Sequence, residues 1–307
     1  MSRLRAGLTE LLLVGALYVA YTASRMLADD NVVAALGRAR ELARVEKGLG
    51  LAWEQATNAW LAAHDLAGVI ADFWYSSAHY VVTAGVLIWL YTRGRAVYLP
   101  ARRALAATTV LGLGFYLLMP TAPPRMISGY VDVLALHANV GWWGADASAP
   151  KGLGGLTNEL AAFPSLHAGW SLWVALAVAS ATRGNRRSGR VARVVAWAYA
   201  ATTAVVVIGT ANHWTLDVIV GWMVALGGWA IADALGRVTL RAELRCRMTR
   251  LARSAALATA GAAEGAGQMA GRAVRTSGVA WPGMAAPVVV RSLAPEDRAR
   301  LPDVWNP

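Results

Sequence analysis

His213 and Asp217 stand four residues apart in Asn212-His213-Trp214-Thr215-Leu216-Asp217, a spacing that puts them on one face of a helix. There a carboxylate can hold one imidazole nitrogen and leave the other free to attack an electrophile or move a proton. A second histidine, His167, closes Phe163-Pro164-Ser165-Leu166-His167. Proline and serine suit a helix start, where free N–H groups and the positive dipole end favour an anion. The third cluster, Pro120-Thr121-Ala122-Pro123-Pro124-Arg125, ends on a guanidinium whose planar, permanently charged fork matches phosphate oxygens. Each cluster has a plainer reading: Pro-Pro-Arg as a helix stop with an interfacial anchor, Ser165 as a cap, His213 and Asp217 as a helix-stabilising pair. Their convergence favours phosphoryl-transfer chemistry. The expected roles are neutral His213 as nucleophile, Asp217 as the group that orients it, and His167 as acid and then base. Arg125, the Ser165 hydroxyl, helix N-terminal amides and Asn212 are the expected holders of the phosphate oxygens.

For these clusters to meet, the elements between them must deliver all three to one side of a membrane. The chain has 307 residues, 57% of them hydrophobic and gathered in long blocks, which is a membrane composition. About 20 apolar helical residues cross a hydrocarbon core, and windows near 8–28, 71–92, 101–119, 166–182, 191–210 and 215–236 meet or approach that length. The apolar run from Leu8 to Leu27 is long and no clean cleavage site follows it, so it reads as an anchor rather than a signal peptide. Arginines gather at Arg3 and Arg5, at Arg93, Arg95, Arg102 and Arg103, from Arg183 to Arg193, and from Arg237 to Arg253, alternating with the spans. The positive-inside rule then puts both termini and these loops in the cytoplasm, and the three polar clusters on the outward, or periplasmic, face of the cell membrane. Asp217, followed by an apolar stretch, would cost about 2.5 to 3.5 kcal/mol unless partnered, and His213 is its expected partner.

The expected architecture is all-α: a polytopic six-helix membrane bundle with interfacial amphipathic segments and a basic cytoplasmic tail. Residues 1–28 form a first anchor, 29–70 the interfacial segments that partly roof the site, 71–236 a five-span catalytic core, and 237–307 the tail, interfacial and helical at first, then flexible. The net charge of +11 sits beside spans, so it reads as topology and anionic-lipid contact rather than nucleic-acid binding.

At its three clusters the sequence resembles the type 2 phosphatidic acid phosphatase superfamily of membrane lipid phosphatases and phosphotransferases, and looks closest to the inositol phosphorylceramide synthase branch. The family's Pro-Ser-Gly-His motif corresponds to Pro164, Ser165, Leu166 and His167, its His and later Asp to His213 and Asp217, and its first, phosphate-binding motif to the cluster ending at Arg125. Leu118 stands where that motif usually has lysine, Val206 and Val207 where the last motif has Ser-Arg, and Leu166 in place of glycine is expected to add bulk beside the site. The resemblance covers residues 70–235. It implies a phosphohistidine reaction on a lipid phosphate without metal or cofactor, and an alcohol acceptor such as inositol where the product is a new phospholipid.

Other classes fit less well. A zinc hydrolase has no His-Glu-x-x-His here, and Ser165 lacks a Gly-x-Ser-x-Gly elbow. The alternative from another class is a non-catalytic or transporter-like protein that binds a lipid phosphate, but transporters place ionisable residues near the midplane rather than at one interface. His79, inside the second span, could line the substrate path, but bundle packing is the stronger reading, as polar side chains commonly bridge membrane helices. His64 and His137 have no expected role, and Cys246, the sole cysteine, excludes an intramolecular disulfide.

Overall fold

The computed structural model describes residues 31–143, 159–184 and 187–276, with side chains through 254, together with Glu10, Leu12, Gly15, Ala16, Val19, Ala20 and Ala23. The chain divides into two compact units, Met1–Arg241 and Ala242–Pro307. Among the described residues the regular structure is helical, and β pairing is confined to an isolated parallel bridge between Thr121 and Ala161. Helix α1 (Val32–Gly48) starts on Asn31, whose side chain accepts from the Ala34 N–H. It is followed by α2 (Glu54–Ala62) and by α3 (Asp65–Phe73), which runs through a π-helical turn, Trp74–Ala78, into α4 (His79–Arg93). Gly94 breaks the chain at φ 103, a conformation open to glycine, before α5 (Arg95–Leu118). After a 3₁₀ turn at Pro124–Met126 come the short α6 (Val133–Leu136), α7 (Leu166–Ala181), α8 (Ser188–Gly209) and α9 (Thr215–Thr276).

The expected helix starts at 166 and 215 coincide with α7 and α9: Ser165 caps the first, and side-chain carboxyls take the N–H groups at the start of the second. Two expectations need correction. The second span is the end of a longer helical run that begins at Asp65, since no proline or glycine turn separates α3 from α4. The last helix does not stop at 236 but continues to Thr276. That stretch is free of proline and rich in Ala, Arg and Leu, whose helix preference outweighs the glycines at Gly261, Gly265, Gly267 and Gly271. The expected flexible end, 277–307, and most of the first expected span lie outside the described residues; those described within 8–28 are helical. By length and composition, α8 and the Thr215–Ser254 part of α9 are apolar enough to cross a membrane, and α7 is a shorter apolar helix.

Helix α7 sits at the centre, packed against α4, α5 and α8. Leu90, Ala101, Ala104, Trp173, Ala200 and Ala232 belong to the core around it. Helix α9 approaches its neighbours at glycines. A Cβ on Gly221 would stand 2.2 Å from the main-chain oxygen of Ser165, and one on Gly228 would stand 2.7 Å from that of Ala104. Small residues at such crossings let backbones come close enough for dense dispersion contact. At the loop end, α1 buries Ala35 and Ala39, accepts the Ala122 N–H at the Ala35 carbonyl (3.3 Å), and donates from Arg38 to the Pro120 carbonyl (2.5 Å). Asn58 of α2 donates to the carbonyls of Val131 and Gly209 and accepts from the Val131 N–H. The two segments ahead of α3 therefore pack over the loops that carry the polar clusters.

Candidate active site

The three clusters meet. The Arg125 N–H donates to the Ala211 carbonyl, the Ser165 N–H to the Asp217 carbonyl, both at 2.9 Å, and the rings of His167 and His213 have centroids 5.6 Å apart. His213 lies in the short turn between α8 and α9. Ala211 makes that turn at φ 58, a left-handed conformation that costs a non-glycine residue about 1 to 3 kcal/mol and recurs at functional sites.

The partner expected for His213 is only the second of two. Its Nδ1 lies 2.8 Å from the Ala162 carbonyl and 3.4 Å from Asp217 Oδ2, whose shorter bond, 2.7 Å, is to the Trp214 N–H. A carbonyl and a carboxylate can only accept, so Nδ1 carries the hydrogen and Nε2 holds the lone pair. His213 is buried, and burial pushes its imidazole down to about 4, the Arg125 charge adding to this and the Ala162 carbonyl opposing it. It is neutral at ordinary pH, as a nitrogen nucleophile must be.

The start of α9 is held by three carboxylates from three elements. The N–H groups of Trp214, Thr215 and Leu216 donate to Asp217, Glu54 and Glu46 respectively. Free N–H groups at a helix start attract acceptors, and the positive dipole end favours negative charge. These amides are therefore taken and do not serve as free anion donors. Glu46 and Glu54 were not foreseen as site neighbours; in sequence Glu46 only helps to offset Arg38, Arg40, Arg44 and Lys47, and Glu54 stands in no motif. Burial, with the Glu54 and Asp217 charges adding and the Leu216 N–H opposing, pushes Glu46 up from 4.5 to about 9. A raised folded value means that this contribution to stability is complete below about 4.5 and is lost as pH rises towards 9. Wild-type protein in micelles is thus expected to melt at a lower temperature at about pH 8.5 than at about pH 5, and Glu46→Gln to lose less over the same interval. Equal losses in the two proteins would show that Glu46 is not protonated in the fold.

Arg125 is partly buried, paired with Asp132 (Nε to Oδ2, 3.2 Å) and donating to Asn212 Oδ1 (2.7 Å). The amide nitrogen of Asn212 in turn donates to Thr210, so Asn212 orients Arg125 and its own donors are engaged. Asp132, one residue ahead of α6, is a site neighbour that no local motif marked. The Ser165 oxygen accepts the Ala168 N–H as the cap of α7, and Ser165 is fully buried. The adjoining Phe163-Pro164 bond is cis, and the Pro164 carbonyl accepts from the Tyr116 hydroxyl. Leu166 does not follow the expectation of bulk beside the site. Its side chain packs where a Cβ on Gly112 of α5 would lie, 2.5 Å from Leu166 Cδ2, so a glycine notch absorbs it. Arg125→Lys keeps the charge but removes the fork that contacts both Asn212 and Asp132. It is expected to raise KM for a phosphate ester about tenfold or more in steady-state assays; an unchanged KM would remove Arg125 from the site.

His167, less enclosed than His213, stacks on Tyr75 (centroids 4.4 Å apart) and meets His79 edge-on (4.1 Å). The remaining histidines lie elsewhere. His137 pairs with the buried Asp72 at 2.7 Å, and His64 stacks on Trp60. Among the described residues, no group of three or more His, Cys, Asp or Glu side chains is arranged to hold a metal ion.

A family model described as the PAP2 superfamily matches residues 40–231. That interval runs from α1 through the site into α9 and includes all three clusters. No curated protein and no solved structure matches the chain.

Proposed function

The chain belongs to the PAP2 superfamily, whose members are generally phosphatases, and from that premise we propose a metal-independent membrane lipid phosphatase or phosphotransferase that works through a phosphohistidine. One observation carries the reading: His213 is a buried, neutral imidazole whose Nδ1 is held by two acceptors, with a second imidazole, His167, 5.6 Å away between ring centroids.

In the reaction, His213 Nε2 attacks phosphorus in line, a P–N bond forms, and the P–O bond to the lipid breaks. His167 gives its proton to the departing lipid oxygen, a contribution of about 100- to 10,000-fold for a well-placed acid. Asp217 and the Ala162 carbonyl support the positive charge that develops on the His213 ring. Water or an alcohol then passes its proton to His167 as its oxygen attacks phosphorus, and the P–N bond breaks. Arg125, set by Asn212 and Asp132, holds the phosphate oxygens, and the Ser165 hydroxyl is a further donor. Both Arg125 and His167 are less enclosed than His213, so the phosphate enters between them.

The surrounding topology in this reading is six spans with both termini cytoplasmic and the site at the outward face of the cell membrane, α1 and α2 lying along the interface as its roof. The arginines on the cytoplasmic side contact anionic lipids. Water as acceptor gives a phosphatase; inositol or a similar alcohol gives a synthase of the inositol phosphorylceramide type.

The test is turnover by purified protein, with EDTA present, of phosphatidic acid, prenyl diphosphate and phosphatidylinositol, combined with trapping of an acid-labile, base-stable phosphoenzyme from labelled substrate. Free phosphate marks a phosphatase and a new phospholipid a transferase. Turnover that EDTA stops, or a phosphoenzyme that survives acid, would overturn the phosphohistidine route.

A further inference from the structure

His79 lies outside every motif; the sequence offered it as a bundle-packing residue or as lining of the substrate path. The residue is buried, and its Nδ1 makes no well-formed hydrogen bond. Its nearest polar group is the main chain of Tyr75, one turn back on the same run, rather than a neighbouring helix.

What His79 does touch is His167. Tyr75 lies within the π-helical turn Trp74–Ala78 and His79 follows it directly; such turns, which insert an extra residue into a helix, occur frequently at functional sites. The two residues clasp one ring. Tyr75 lies nearly parallel to His167, at 4.4 Å and 19°, while His79 meets it edge-on at 4.1 Å and 60°. The Tyr75 main chain bears on both imidazoles. Tyr80 and Trp170 flank His79 in turn, with centroids at 3.8 and 6.1 Å, and Trp170 is itself held by its indole N–H on Thr109. His167 is thus gripped on the side of α3 and α4, while the His213 ring lies 5.6 Å from it on another element.

We infer that His79 is a positioning residue: with Tyr75, it clamps the His167 ring in the single orientation from which that ring can exchange a proton with the group leaving or attacking the phosphate on His213. Four residues apart on one helical run, the two clamp rings share a side of it. The catalytic half of this assignment rests on the phosphohistidine reading, but the clamp itself does not.

Two measurements on detergent-solubilised full-length protein separate the two. In the first, histidine is labelled with ¹⁵N and the His167 ring signals are identified by their loss in His167→Gln. Wild type is expected to show one narrow set, His79→Ala a shifted or exchange-broadened set, and His79→Phe, which keeps an edge-on ring, a set close to wild type. In the second, phosphate release from phosphatidic acid in mixed micelles is followed. His79→Ala is expected to lose about tenfold or more in kcat with KM within about twofold, because a small misplacement of a reacting group can cost about 100-fold. His79→Phe is expected to recover most of that loss. His167 signals unchanged in His79→Ala overturn the clamp, with or without turnover. A phenylalanine variant as impaired as the alanine one also overturns it, since the nitrogen and not the ring would then matter. If wild-type protein turns over no substrate while the His167 signals respond as expected, the clamp stands and the enzymatic reading falls.

Discussion

Replacing His213 with alanine is expected to lower kcat/KM by about 10,000-fold or more, and to abolish the trapped phosphoenzyme, because in the proposed reaction His213 is the group that forms the P–N bond. The fold should survive. The side chain's polar contacts are the Ala162 carbonyl at 2.8 Å and Asp217 Oδ2 at 3.4 Å, and the amides at the start of α9 stay occupied by Asp217, Glu54 and Glu46. The same assay reads the protonation of His213. Only the neutral ring attacks, and burial together with the Arg125 charge holds it near 4. The rate of phosphoenzyme formation should therefore keep its His213-dependent value as pH falls through the ordinary imidazole range, and decline only towards about 4. A limb centred near 6.5 would mean that His213 is hydrated rather than enclosed when it reacts. An alanine variant that still turns over and still traps phosphate would remove His213 as nucleophile.

The second large effect is expected at a residue with no functional group. Gly221→Ala would place a Cβ 2.2 Å from the Ser165 carbonyl oxygen and 3.1 Å from its carbon. These are backbone atoms, tied down by the Ser165 N–H bond to the Asp217 carbonyl and by the cap on Ala168. No side-chain rotation can relieve the overlap, so α7 and α9 must separate. The expected cost is about 1 to 3 kcal/mol of stability, the usual range for overpacking. The loss in kcat/KM should be larger in proportion, about 100-fold, because the movement separates His167 from His213. Gly227→Ala is the matched control on the same helix. Its Cβ would meet only Leu111 Cδ1, at 3.9 Å, and it should be neutral or stabilising by up to about 1 kcal/mol, as glycine is a poor helix residue. If the two variants melt alike and act alike, the α7–α9 contact does not set the site.

Much of this molecule was legible in the sequence because it depends on neighbours along the chain. Ser165 as a cap, the start of α9 beside His213, the four-residue spacing of His213 and Asp217, and a helical, apolar composition are local facts governed by backbone geometry and side-chain type. The family resemblance rested on the same short clusters, and it held at the level of the PAP2 superfamily. The coming together of Arg125, His167 and His213 was an expectation, drawn from arginine alternation that would put all three clusters on one face.

What the sequence could not decide is which atom meets which. The acceptor that fixes the His213 tautomer is the main-chain carbonyl of Ala162, 51 residues away, and a carbonyl carries no signature of its own in a sequence. Glu46 and Glu54 reach the amides of Leu216 and Thr215 across separations of 170 and 161 residues, and before folding they are indistinguishable from surface charge. Leu166 changes from an obstruction to a fitted side chain only because Gly112 of α5 lies opposite it. His79 becomes a neighbour of His167 only because α4 packs on α7. The sequence by itself thus determined the helices, their caps and the chemical groups available. The tertiary structure decided partners, tautomer and burial, because these follow from distances between elements that no local preference encodes.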